Sequence, residues 1–185
     1  MPGFQIHIAI GKRYIKKHKI ENTKDFLRGT IAPDFVEDKS KSHYTRKTSK
    51  NTLKEYLKNK VDINTFLAEN RIDTDYKKGV FLHLLTDKLF FTEFFPDEYI
   101  NNIDYKTFCK DLYTSYDETN SYIEHKYDIH FDLEIQEKMQ KNIQESRKEK
   151  KMDEEKGKNI IPIDRLENFI ETVSDIDLNE YIKNK

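Results

Sequence analysis

The chain has 185 residues, of which 33 are basic and 34 acidic, and its net charge of -1 excludes the broad basic footprint of a nonspecific nucleic-acid binder. The single cysteine, Cys109, excludes an intrachain disulfide and reads as a packed core thiol. Five Gly and four Pro argue against a turn-rich β fold, while twelve Phe and eleven Tyr supply buried area that the modest 36% apolar content does not.

Residues 3–19 carry apolar groups at helical spacing, with Phe4, Ile8, Gly11 and Ile15 on one stripe and His7, Ile10 and Tyr14 on the next. His7 and His18 share a face but lie about 16 Å apart along the axis, too far to bind one metal. Thr23 is placed to cap a short helix through Leu27, with Gly29 as its stop. Ile31–Phe35 reads as a loop, because Pro33 disfavours helix at Ala32. Residues 36–50 are polar and read as a surface loop with a short turn around Tyr44.

Two short helices are expected at 51–60 and 63–70, separated near Val61–Asp62. Asp73 or Thr74 can cap the next helix, which runs to Phe95 before Pro96. Apolar residues surround this segment, so 74–95 is expected to be the central helix. Asp104 opens a long helix to about Tyr127, and 131–147 repeats the pattern more weakly. Residues 147–158 form a charged linker, after which Asp164 is expected to cap an amphipathic helix, followed by a short one at 177–183. The expected fold is all-α: one domain, 1–185, built as a multi-helix bundle.

The N-terminus lacks a basic region followed by an apolar one, and no stretch approaches the ~18 apolar residues of a membrane span. The chain is therefore expected to be cytoplasmic.

The chemistry centres on His83-Leu84-Leu85-Thr86-Asp87. Four-residue spacing on a helix puts the imidazole and the carboxylate on one face, one turn apart, where they can share a metal. Asp34 follows Pro33 in a loop, and His43 lies nine residues later; neither has an apolar periodicity to explain it. Two His and two Asp form an N2O2 set suited to zinc and other borderline divalent ions. The competing readings are ordinary: a hydrogen-bonded core histidine, an Asp that orients it, an Asx turn after proline, and a loop histidine. Gly79, one turn before His83, leaves room for a loop to approach the pair.

Three blocks carry a resemblance: the first seven residues ending in His7, then Gly29–Asp34 with Ser42-His43-Tyr44, then Gly79–Asp87. In order and rough separation they resemble the zinc-dependent phospholipase C family, which is related to the P1-type nucleases. The resemblance covers the first half of the chain and implies an all-helical phosphodiesterase holding up to three zinc ions. It puts Asp34, His43, His83 and Asp87 on the first metal and His7 on another, and it makes Asp34 the general base for an attacking water. The expected substrate is a small phosphodiester or a phospholipid headgroup.

Parts of the family pattern are missing. The chain has no tryptophan, where the catalytic relatives use an N-terminal one as a ligand. For further metals it offers Glu93 and the pair His130 and Glu134, which lies beyond the family spacing, with His125 as a similar, weaker candidate. One zinc is thus expected to be complete. The alternative is a non-catalytic helical module that keeps a metal or binds a partner. A His-Asp phosphohydrolase needs adjacent His and Asp, and none of the six His is followed by Asp.

Overall fold

The structure is a computed structural model that describes residues 3–46, 52–149 and 156–183. Helices are the only regular secondary structure among the described residues. Helix α1 spans Phe4–Lys17 and α2 spans Thr23–Gly29. Asn22, one residue before the expected cap, accepts the Asp25 N–H that caps α2. Ala32–Phe35, expected as a loop, is a 3-10 turn with Pro33 near its start, where the missing N–H costs nothing. Inside the expected surface loop, Asp38 caps a single turn, α3, at Lys39–Ser42. Residues 47–50 of that loop lie outside the described residues.

Helices α4 (Leu53–Lys58) and α5 (Ile63–Glu69) are capped by the side chains of Thr52 and Asp62. Thr74 caps α6, Asp75–Leu89, which widens into a π turn at Phe90–Phe94 before Pro96 ends the run. The expected central helix is therefore present, with a change of hydrogen-bond register in its last turn. Phe81, Leu82, Leu84 and Leu85 are buried all round α6, each contributing about 2 kcal/mol of transfer free energy. The π turn aims Phe90, Phe91 and Phe94 inward, and Phe90 packs on Phe94 at 4.8 Å and on Phe169 at 5.6 Å.

Helix α7, Asp97–Asn101, is too short for its periodicity to show in the sequence. Asp104 caps α8, Tyr105–Lys126, and α9 covers Leu133–Glu149. Helix α10, Ile163–Asp175, starts one residue before the expected cap, so Asp164 sits in its first turn; α11 covers Leu178–Lys183. Helices α1 and α10 pack together and are joined by Arg13–Glu171 and Lys17–Asp175, both at 2.6 Å.

The segment expected as a linker divides in two. Arg147 is still helical and pairs with Asp117. Residues 150–155 lie outside the described residues. Beyond them, the chain is strapped to α8: Gly157 N–H donates to Thr114 Oγ1, Lys158 N–H to Asp111 and Ile160 N–H to Ser115 Oγ, each at 2.8 Å. No helix among the described residues is long and apolar enough to cross a membrane.

Candidate metal centre

His83 and Asp87 lie one turn apart on α6 and are fully buried. Gly79, one turn earlier, meets Gly29 at the end of α2. A Cβ on Gly79 would strike the Phe26 carbonyl, and one on Gly29 the Tyr76 carbonyl. The space beside Gly79 is thus filled by a helix rather than a loop. Gly29 serves this close approach and not a left-handed cap, since no described glycine has a positive φ. The crossing delivers the Thr30 carbonyl, 2.8 Å from His83 Nδ1. A carbonyl only accepts, so Nδ1 carries the proton and Nε2 presents its lone pair.

His43 ends α3. Its Nδ1 lies 2.9 Å from the Lys39 carbonyl, which fixes the same tautomer. Ser42 Oγ donates to the Pro33 carbonyl at 2.8 Å, tying α3 to the turn that carries Asp34. His43 Nε2 stands 3.0 Å from His83 Nε2, 3.2 Å from Asp87 Oδ2 and 3.7 Å from Asp34 Oδ1. From α1, the His7 ring stacks on His83 at 3.8 Å, with Nε2 3.3 Å from Asp87 Oδ1.

Two opposed Nε2 lone pairs at 3.0 Å repel unless something cationic lies between them. A shared proton would charge one ring, but burial, with His7 alongside, pushes His83 down to about 3. Burial alone would raise the Asp87 carboxyl; the surrounding imidazoles of His83, His43 and His7 outweigh it and hold Asp87 well below the usual carboxylate range. Both His7 nitrogens, Asp34 Oδ1 and both Asp87 oxygens are buried without a hydrogen bond. Each such group costs roughly 1–3 kcal/mol, more when charged. A metal ion would satisfy one His7 nitrogen and the carboxylate oxygens that face it, one ligand atom per residue. The donors form two groups that can hold one, His7–His83–Asp87 and Asp34–His43–His83. The groups share His83, whose Nδ1 is already used, so its ring offers a single ligand atom. The five residues expected as ligands are therefore brought together, but in a different grouping: His7 joins His83 and Asp87, and among the described residues neither group holds Asp34, His43, His83 and Asp87 together.

The further candidates are not. Glu93 points to solvent from the π turn. His130 is 84% exposed and pairs with Asp128, and Glu134 is 77% exposed and pairs with Lys138. His130 precedes α9 and Glu134 lies in its first turn, so the two do not share a helical face; Leu133, which opens the helix, is itself 77% exposed.

Asp34, His43 and Asp87 lie on the wall of a cleft of about 550 Å³. Tyr56, Phe91, Tyr105, Phe108, Tyr113 and Tyr116 give it aromatic sides. Burial, together with the charges of Asp87 and Asp34, pushes the Tyr116 phenol well above its ordinary value, so it stays neutral. Lys39, Lys60 and Arg147 add positive charge. Sequence reasoning missed Thr30, Lys39 and Lys60. Thr30 acts through a backbone atom, which leaves no residue-type signal, and the two lysines lie in charge-rich stretches. Cys109 also lines the cleft, as a buried thiol.

No family model, no curated protein and no solved structure matches the chain.

Proposed function

We propose that this protein is a metal-dependent hydrolase of phosphodiester bonds. What supports the reading is the pair of imidazoles facing Nε2 to Nε2 between two carboxylates, beside an aromatic cleft with lysines on its wall. The nitrogen and oxygen donors of His43, His83, Asp34 and Asp87 fit a borderline divalent ion such as zinc. Such an ion, when bound, acidifies a water and polarises a phosphoryl oxygen. Asp34, whose Oδ1 has no hydrogen bond, accepts the proton of the attacking water. Lys39, with Nζ 3.9 Å from Asp34 Oδ1, orients a phosphate oxygen. The aromatic walls hold the organic part of a small phosphodiester or a phospholipid headgroup. A P1-like nuclease is a variant in which those walls stack bases.

The location of Glu93, His130 and Glu134 favours a second reading, a metal that stabilises the fold without catalysis. Turnover separates the two. We expect the purified protein to hydrolyse bis(p-nitrophenyl) phosphate, to lose that activity with chelator and to regain it with zinc. The D34N protein should lose at least a hundredfold. Metal-loaded protein without turnover on this and a phospholipid panel would defeat the hydrolase reading.

A further inference from the structure

Three basic side chains line the cleft, and they differ in their partners. Arg147 gives one guanidinium nitrogen to both oxygens of Asp117, at 2.8 and 2.7 Å. Lys39 leans toward Asp34. Among the described residues, Lys60 has no carboxylate within 4.0 Å. Its ammonium rests over two rings instead, 5.2 Å from the centre of Tyr56 and 5.5 Å from that of Phe91. Such contacts steady a cation without neutralising it.

The backbone holds Lys60 beside the candidate metal centre. Thr45 Oγ1 donates to the Lys60 carbonyl at 2.8 Å, and the Asp62 N–H to the His43 carbonyl at 3.3 Å. The segment bearing Lys60 therefore runs along the one bearing His43.

Charge balance gives this cation a role. A divalent ion would offset Asp34 and Asp87, and Arg147 offsets Asp117. Among the described lining residues Lys39 and Lys60 are left over, and with them the loaded cleft has two positive charges beyond the balance. A simple phosphodiester brings only one negative charge. The geometry points to Lys60 as the binding residue for a second oxyanion on the substrate, making the preferred substrate a phosphodiester that also bears a phosphate or carboxylate. This deepens the hydrolase reading and rests on it.

The test compares bis(p-nitrophenyl) phosphate with a p-nitrophenyl phosphodiester whose other alcohol carries a phosphate group. The wild-type protein should favour the doubly charged substrate. K60M keeps the aliphatic stem over the rings; it should raise KM for that substrate about tenfold more than for the other, and K60R should restore most of the difference. Circular dichroism checks that K60M folds. Equal effects on both substrates, or none, would overturn the assignment. Failure of the wild type to hydrolyse either would instead defeat the hydrolase reading. Calorimetric binding of inorganic phosphate then tests Lys60 by itself: about tenfold weaker binding to K60M supports an oxyanion site, and unchanged binding overturns it.

Discussion

Gly29 and Gly79 meet where α2 crosses α6, with no room for a Cβ on either. The crossing lies next to Thr30 and one turn from His83, so helix packing and imidazole tautomer depend on the same contact. An alanine at either position must push the helices apart. G79A is expected to cost about 3 kcal/mol in urea unfolding. G79A should also weaken zinc binding, because the Thr30 carbonyl retreats from His83 Nδ1. A G79A protein as stable as the wild type would show that the crossing can relax.

Metal should stabilise the native state, because the unfolded chain has no assembled site. Zinc at a hundred times its dissociation constant adds ~2.7 kcal/mol, which raises Tm by roughly 5–10 °C for a chain of this size. Thermal melts with and without chelator measure this. H83A should abolish the shift, whereas E93Q and H130A should keep all of it, since both side chains face solvent. Loss of the shift in H130A would place His130 at the metal after all.

Asp62 provides a pH-dependent element outside the candidate ligand set. Burial would raise its carboxyl, but the Arg46 guanidinium and the Thr65 hydroxyl and N–H outweigh it and hold it at about 2. A folded value below the ordinary 3.8 means stability that is present above that value and lost as pH falls from about 4 to 2. D62N keeps an acceptor for the α5 cap and removes the charge. It should be less stable than wild type by about 1 kcal/mol at pH 7, because Arg46 is largely exposed. The difference should vanish near pH 2 in parallel denaturant titrations.

Asp111 fastens the strap that follows α9. It accepts the Lys158 N–H at 2.8 Å and the Tyr99 hydroxyl at 3.0 Å, and burial together with Asp111 pushes the Tyr99 phenol above its ordinary value. D111A should cost about 2 kcal/mol and speed amide exchange at Lys158 while α6 stays protected. Unchanged exchange at Lys158 would mean the strap is held elsewhere.

The bundle was legible wherever a side chain did local work. Thr52, Asp62, Thr74 and Asp104 all cap helices; sequence alone points to Asp104 and leaves Asp73 or Thr74 for α6. Helix α10 escaped that logic because Pro162 takes its cap position without a side-chain hydrogen bond. The candidate centre was legible in part: one-turn spacing put His83 and Asp87 on one face, but the 3.0 Å approach of His43 spans 40 residues. The same spacing misdirected His130 and Glu134, because the helix starts only at Leu133 and the two residues share no helical face. Lys60 was hidden for a related reason: its ring neighbour Phe91 comes from an element 31 residues on.

Tyr44 follows His43 directly and adopts a left-handed backbone, φ 55°, which is strained for a tyrosine. Its hydroxyl accepts from Asn70 Nδ2 at 2.8 Å, and its ring meets Phe66 edge-on at 5.6 Å. Both partners belong to α5 or its end. The conformation that presents His43 therefore depends on contacts with a helix later in the chain. We expect the imidazoles to converge only after the folding barrier, a prediction that refolding and unfolding rates with and without zinc would check. Zinc would then slow unfolding and leave the refolding rate nearly unchanged.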